Sequence, residues 1–150
     1  MTEWLALAAA LAAGWFSNRY AWWRPVVDLR HPRVLMYHMV SPHRPSAKFN
    51  GLRVTPEHFA AQLDWLRRNG WQFFTVGELW ERWDELPAKS VALTFDDGYA
   101  DNLHNARPIL EKYDAKATIY MVVDRHERDW STAKKAHHNT GELAREPKLS

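Results

Sequence analysis

The residues with the clearest potential for chemistry are two adjacent aspartates, Asp96 and Asp97, followed by Gly98. They come directly after Ser90 to Phe95, an almost wholly apolar run that is typical of a buried strand. Two carboxylates at one strand end repel each other unless they share a cation, and such a pair suits metal binding and proton transfer. Gly98 permits a sharp turn and a close approach of a ligand. The alternative is an ordinary strand-to-helix turn with two acidic caps.

Histidines would be the usual partners of such a pair in a metal site. Those that follow the pair are His104, His126, His137 and His138. None of them has another histidine four residues further on, so no two would lie one turn apart on a helix face. Adjacent histidines point in different directions, and we therefore interpret His137 and His138, with Glu142 nearby, as part of a solvated loop.

Alternating apolar and amphipathic segments must position these residues. Strands are predicted over residues 34–40, 71–76, 90–95 and 117–123. Thr55-Pro56 begins a helix that ends near Gly70, and the spacing of Thr75 and Glu78 predicts a capping box at a second helix. Strands that alternate with helices indicate β/α units and a parallel sheet.

In a parallel α/β sheet, ligands bind at the carboxyl ends of the strands, which is where the aspartates are expected. His38 ends the first predicted strand and either lines the same cleft or is a buried, hydrogen-bonded strand histidine. Asp101 is predicted to cap the helix that follows the pair.

Composition excludes several classes of protein. The chain has 150 residues, 20 Lys and Arg against 18 Asp and Glu, and no cysteine, so zinc ribbons, iron–sulfur clusters, a cysteine nucleophile and disulfides are excluded. A net charge of +2 gives no argument for nucleic acid as a partner. The chain also has nine tryptophans. We assign four of them to core and helix packing rather than to a sugar-binding platform: Trp65, Trp71, Trp80 and Trp83.

The N-terminal segment is an apolar run of 13 residues, Trp4 to Phe16. As a helix it would be about 20 Å long, short of the roughly 30 Å hydrocarbon core of a bilayer. It is interpreted as an export signal or membrane anchor, or as an interfacial helix with Trp4, Leu7, Leu11 and Trp15 on one face, at the membrane or in the cell envelope. The remaining alternative is a helix that packs on the domain.

A family resemblance rests on several strings. Thr94 to Tyr99 (TFDDGY), together with the strand Ala117 to Tyr120, resembles the first motif of polysaccharide deacetylases of the NodB-homology type, carbohydrate esterase family 4. Val34 to His38 resembles the entry strand of the branch that acts on poly-N-acetylglucosamine and related envelope glycans, and Phe59 to Leu63 resembles its first helix. The similarity covers about residues 33–124.

The resemblance implies metal-dependent N-deacetylation of an N-acetylated polysaccharide, with zinc as the usual divalent metal. It makes Asp96 the general base and Asp97 a metal ligand. The backbone N–H of Tyr99 would help to hold the oxyanion, and His38 would lie on the same rim and contact substrate. The family's two metal-binding histidines, in a His-Ser/Thr-x-x-His motif, are absent from this chain.

The implied fold is a distorted (β/α) barrel of the NodB type, here partial and incomplete at the C-terminus. Residues 1–32 are predicted to be the apolar signal, anchor or interfacial helix with a basic linker. Residues 33–150 are predicted to be the N-terminal part of the deacetylase domain, with 124–150 polar and irregular. The expectation is a truncated chain that is inactive alone, whose partners are an N-acetylated glycan and a membrane surface.

Two other functions stay open. One is a non-catalytic glycan-binding or membrane-tethered interaction protein that keeps the first half of the fold. The other is a magnesium-dependent phosphoryl-transfer domain, which fits less well because the chain has no Asp-x-Asp.

Overall fold

The computed structural model describes residues 2–122, 143 and 146–149. Four parallel strands form its main sheet: β1 (Arg33–Tyr37), β4 (Gln72–Phe74), β5 (Ser90–Asp96) and β6 (Ala117–Tyr120). A second, two-stranded sheet pairs β2 (Met39–Val40) with β3 (Arg53–Val54). The helices are α1 (Thr2–Tyr20), α2 (Pro56–Arg68), α3 (Val76–Glu81) and α4 (Arg107–Lys112). The predicted α/β class with a parallel sheet is confirmed, whereas closure into a barrel stays a prediction.

Strand β5 is the centre of the main sheet. On one side it pairs with β1 along Val91 to Phe95; on the other it pairs first with β4 and then with β6. Ser90 to Phe95 are all buried, as the apolar run predicted, because β5 has neighbours on both edges and packing on both faces. The last residue of the strand, Asp96, is half-buried.

Helix α2 covers the sheet through three buried side chains, Phe59, Leu63 and Leu66. The rings of Tyr37, Phe59 and Phe95 pack together between this helix and the sheet, with centroid separations of 5.1 to 5.8 Å. The Thr55 side chain accepts a hydrogen bond from the His58 N–H at the start of the helix. This helix and its cap were predicted correctly.

The predicted strand over residues 34–40 is wrong as one continuous buried strand. It ends at Tyr37, and after His38 the chain forms β2, which pairs with β3 instead of β5. Within the described residues β1 pairs only with β5, so Val34 and Met36 are exposed along a groove of about 840 Å³ beside α2.

The assignment of tryptophans to the core is wrong for three of the four. Trp65, Trp80 and Trp83 are 56 %, 83 % and 60 % exposed, whereas Trp71 packs against the core. Leu79 is the residue of α3 that is buried. The capping box at Thr75 and Glu78 is present as predicted.

Helix α1 does not bury its apolar side chains. Every residue from Glu3 to Phe16 is exposed, which contradicts the alternative of a helix packed on the domain. The segment after α1 contacts the residue before β5 through a hydrogen bond: the Lys89 N–H donates to the carbonyl of Leu29 at 2.8 Å. No helix in the described part of the chain is long and apolar enough to be a candidate membrane span.

Candidate functional site

The candidate site lies where three parallel strands end. Tyr37 of β1 is level with Phe95 of β5, so His38 follows at the same edge as Asp96. Tyr120 of β6 is level with Asp96 on the other side. The His38 carbonyl accepts a hydrogen bond from Asn102 Nδ2 at 2.9 Å, which fixes the backbone at this edge. The structure therefore brings His38 and the aspartate pair to one rim, and the substrate-binding role of His38 stays a prediction.

A tight turn follows β5 and sets the direction of Asp97. Asp97 and Gly98 have φ values of +68° and +59°, both in the left-handed region. Aspartate tolerates this conformation better than most residues, yet it is uncommon outside glycine. A Cβ on Gly98 would also lie 2.6 Å from the sulfur of Met121, so any other residue there would have to displace the Met121 side chain as well as adopt a strained φ. The strand end and the turn together present both carboxylates at the rim, where each is half-buried.

The buried side chain of Tyr99 fixes the turn to the protein core. Its ring is buried with Met39 and Leu143. Burial, the charge of Asp97 and a hydrogen bond with its carboxylate together raise the pKa of Tyr99 to about 12. Near pH 7 Tyr99 is therefore a neutral phenol, which can donate to the Asp97 carboxylate.

Residues 146–149, which we call the strap, run antiparallel to the turn. The Ala100 N–H donates to the Pro147 carbonyl and the Leu149 N–H donates to the Gly98 carbonyl, each at 2.8 Å. Tyr99 faces Lys148 between these two bonds, so the strap does not use the Tyr99 N–H. The Lys148 ammonium lies 3.3 Å from the centroid of the Tyr99 ring. The predicted oxyanion donor is thus held in place while its N–H stays outside this ladder.

A buried ion network holds the strap on the protein. The Arg53 side chain is fully buried and donates to Glu146 Oε1 at 2.7 Å and to the Ser41 hydroxyl at 2.9 Å. Arg44 donates to both oxygens of the same carboxylate, at 2.5 and 3.2 Å. Glu146 is therefore neutralised from two sides, and the network connects the strap to β3 and to the loop before it.

Asp101 lines a cavity beside the site and does not cap a helix. Its side chain makes no capping bond to the π-helix that follows (Asn102–Ala106), so that prediction is wrong. Burial raises the pKa of Asp101, while hydrogen bonds from Ser41 and Val40 and the charge of Arg53 counteract the rise. Its carboxylate lines a cavity of about 340 Å³ with Arg44, His104 and Glu146, next to Tyr99.

The described residues do not form a complete metal site. Within residues 2–122, 143 and 146–149, no three His, Asp or Glu side chains are grouped so as to hold an ion. Asp97 is at the predicted position and already interacts with the Tyr99 hydroxyl. The donor set seen here does not match the three protein ligands of a catalytic zinc centre. Three histidines considered from the sequence, together with Glu142, lie outside the described residues: His126, His137 and His138.

Comparison with known proteins identifies this arrangement. Residues 83–144 match the polysaccharide deacetylase family model. YxkH of Bacillus subtilis, a protein assigned to the polysaccharide deacetylases, is 45 % identical over 92 residues, which are 59 % of this chain and 31 % of that protein. The poly-β-1,6-N-acetyl-D-glucosamine N-deacetylase of Staphylococcus epidermidis is 30 % identical over 81 residues, or 53 % of this chain and 28 % of that enzyme.

Solved structures show the same similarity. The Streptococcus pyogenes deacetylase PplD, in complex with acetate, is 40 % identical with a TM-score of 0.55, covering 60 % of this chain and 42 % of PplD. IcaB from Ammonifex degensii is 31 % identical with a TM-score of 0.56, covering 69 % of this chain and 42 % of IcaB. The matched part of the chain is therefore similar to the polysaccharide deacetylases. It spans about a third of the length of the curated relatives.

Sequence reasoning located the rim of this segment but missed the residues that support it. Asp96, Asp97, Tyr99 and His38 all lie at or beside the carboxyl end of β5, and their individual roles remain predictions. Arg53 and Glu146 were not singled out. The one signal available for Arg53 was a charged residue just before the predicted helix start at Thr55, which is too common a feature to indicate a buried ion pair.

Proposed function

We propose that this chain contributes the acidic part of an N-deacetylase site that hydrolyses the acetamido group of an N-acetylated glycan. The proposal rests on Asp96 at the end of β5 and on Tyr99 three residues later, whose N–H is not used by the strap, in a segment that matches the polysaccharide deacetylases. The resemblance to poly-β-1,6-N-acetyl-D-glucosamine N-deacetylase supports poly-N-acetylglucosamine as the substrate class.

In the proposed reaction Asp96 removes a proton from a water molecule, whose oxygen attacks the carbonyl carbon of the acetamido group. Negative charge develops on the carbonyl oxygen, which accepts a hydrogen bond from the Tyr99 N–H. The carbon–nitrogen bond then breaks as the nitrogen gains the proton that Asp96 took from water, which leaves acetate and a free amine on the sugar. The rigid turn at Asp97 and Gly98 keeps the base and the donor at fixed positions.

Metal dependence is part of the proposal through Asp97 alone. The described residues contain no group of three His, Asp or Glu side chains that could hold an ion with it, so a divalent ion would need further ligands from outside them. Tyr99 supports the same role, because its neutral hydroxyl donates to the Asp97 carboxylate and orients it.

The test is to graft residues 33–122 into the Staphylococcus epidermidis enzyme in place of its matching segment and to measure acetate release from an N-acetylglucosamine oligomer. We expect the chimera to be active and Asp96→Asn to lower its kcat by about 100-fold or more. Asp64→Asn is the matched control, because Asp64 lies on the outer surface of α2 in an ion pair with Arg68. A folded chimera that binds the oligomer and releases no acetate would favour the non-catalytic glycan-binding alternative.

A further inference from the structure

Helix α1 has an apolar surface on all sides. No charged residue occurs between Glu3 and Arg19. At 100° per residue, Trp4, Leu7, Leu11 and Trp15 share one face, Leu5 and Phe16 lie on another, and alanine and glycine fill most of what remains. A helix that packs on a protein surface needs one apolar stripe, as α2 has, and an apolar surface all round is typical of helices surrounded by lipid.

Aromatic rings and arginines are concentrated where α1 ends. The Arg19 guanidinium lies 5.8 Å from the centroid of the Tyr20 ring, and the Arg24 guanidinium lies 5.3 Å from that of Trp23. Trp23 also donates through Nε1 to the carbonyl of Ser17, which turns its ring back towards the helix. Trp22 is 73 % exposed beside it. Amphipathic rings with adjacent cations are the residues that occupy the headgroup region of a bilayer.

The charges at the end of α1 and in the segment after it complement an anionic surface. Residues 17–33 contain Arg19, Arg24, Arg30 and Arg33 and a single acidic residue, Asp28. Asp28 pairs with Arg30 at 3.5 Å, and Arg33 donates to backbone carbonyls of this same segment. Arg19 and Arg24 instead lie against aromatic rings at the end of the helix. There each would add attraction to anionic lipid headgroups.

The length of α1 limits how it can enter lipid. The uncharged stretch of residues 4–18 rises roughly 22 Å, which exceeds one leaflet of the roughly 30 Å hydrocarbon core and falls short of the whole core. We propose that α1 inserts into an anionic lipid bilayer with Arg19, Tyr20, Trp22, Trp23 and Arg24 at headgroup level. Residues 21–32 then tether the deacetylase segment to that surface.

The test is co-sedimentation of the full chain with vesicles of phosphatidylcholine alone or mixed with phosphatidylglycerol. We expect stronger binding to the mixed vesicles, and a decrease in that preference at high salt. Leu7→Gln combined with Leu11→Gln should lower the partition coefficient at least about tenfold. Arg19→Gln and Arg24→Gln should each lower binding to mixed vesicles by about fivefold and leave binding to phosphatidylcholine unchanged.

Trp80→Gln is the matched control, because Trp80 is 83 % exposed on α3 and has no place in the proposed insertion. It should bind vesicles like the unaltered chain. Unchanged partition of the double leucine variant would overturn the proposal. So would a dimer in solution that the leucine substitutions separate, without vesicle binding by the unaltered chain, since a second copy would then cover α1. Neither result bears on acetate release, so the two proposals fail separately.

Discussion

Helices α1 and α2 differ in what their apolar residues contact. Helix α2 places Phe59, Leu63 and Leu66 on one face and buries them against the sheet, while its other faces carry charged side chains. Helix α1 carries large apolar residues on several faces and exposes them. The comparison teaches that the angular spread of apolar residues, rather than their number, shows whether a helix is matched to a protein core.

Shortening one apolar side chain in each helix tests directly whether that helix packs on the protein. Phe59→Ala should lower the free energy of unfolding by about 3–5 kcal/mol, because it removes a fully buried ring between Tyr37 and Phe95. Leu11→Ala should change it by less than about 0.5 kcal/mol, because Leu11 is 66 % exposed. Urea unfolding followed by circular dichroism measures both. A loss of similar size in the two variants would mean that α1 packs on the protein in solution.

The strap differs from both helices, because ion pairs rather than an apolar face hold it on the protein. Glu146→Gln should lower the free energy of unfolding by about 3 kcal/mol, since it removes the carboxylate charge that pairs with the buried Arg53 guanidinium. Arg44→Gln is the matched control at the exposed end of the same network and should cost less than about 1 kcal/mol. Equal effects of the two substitutions would show that water reaches Arg53.

The sequence predicted the elements that depend on local patterns and missed the contacts between residues far apart in the chain. Strand β5 and helix α2 follow from local periodicity, because each is packed through residues two, three or four positions apart. The break at His38 does not, because it depends on β2 pairing with β3. Arg53 and Glu146 are separated by 93 residues, and no local pattern signals their pairing. Trp65 and Trp80 show a further limit, since an apolar type alone does not say which face of a helix meets the sheet.

The smallest expected effect concerns the start of α3, another helix that packs on the sheet. Hydrogen bonds from Lys116 and from the Thr75 N–H together lower the pKa of Glu78 to about 2 from its ordinary 4.5. A carboxylate with a lowered pKa in the folded state stabilises the protein above its unfolded pKa and loses this contribution as the pH falls towards its folded pKa. Glu78→Gln should therefore cost about 1 kcal/mol or less at pH 7, where the ion pair is partly screened by solvent.

That difference between the Glu78→Gln variant and the unaltered chain should shrink as the pH falls from about 5 to about 2, because the carboxyl becomes neutral in both folded and unfolded states. Urea unfolding at several pH values measures it. Glu81→Gln serves as the control, since Glu81 is exposed at the last residue of the same helix and should give a smaller difference at neutral pH. A difference for Glu78→Gln that is constant with pH would mean that the capping geometry stabilises α3 and the charge of Glu78 does not.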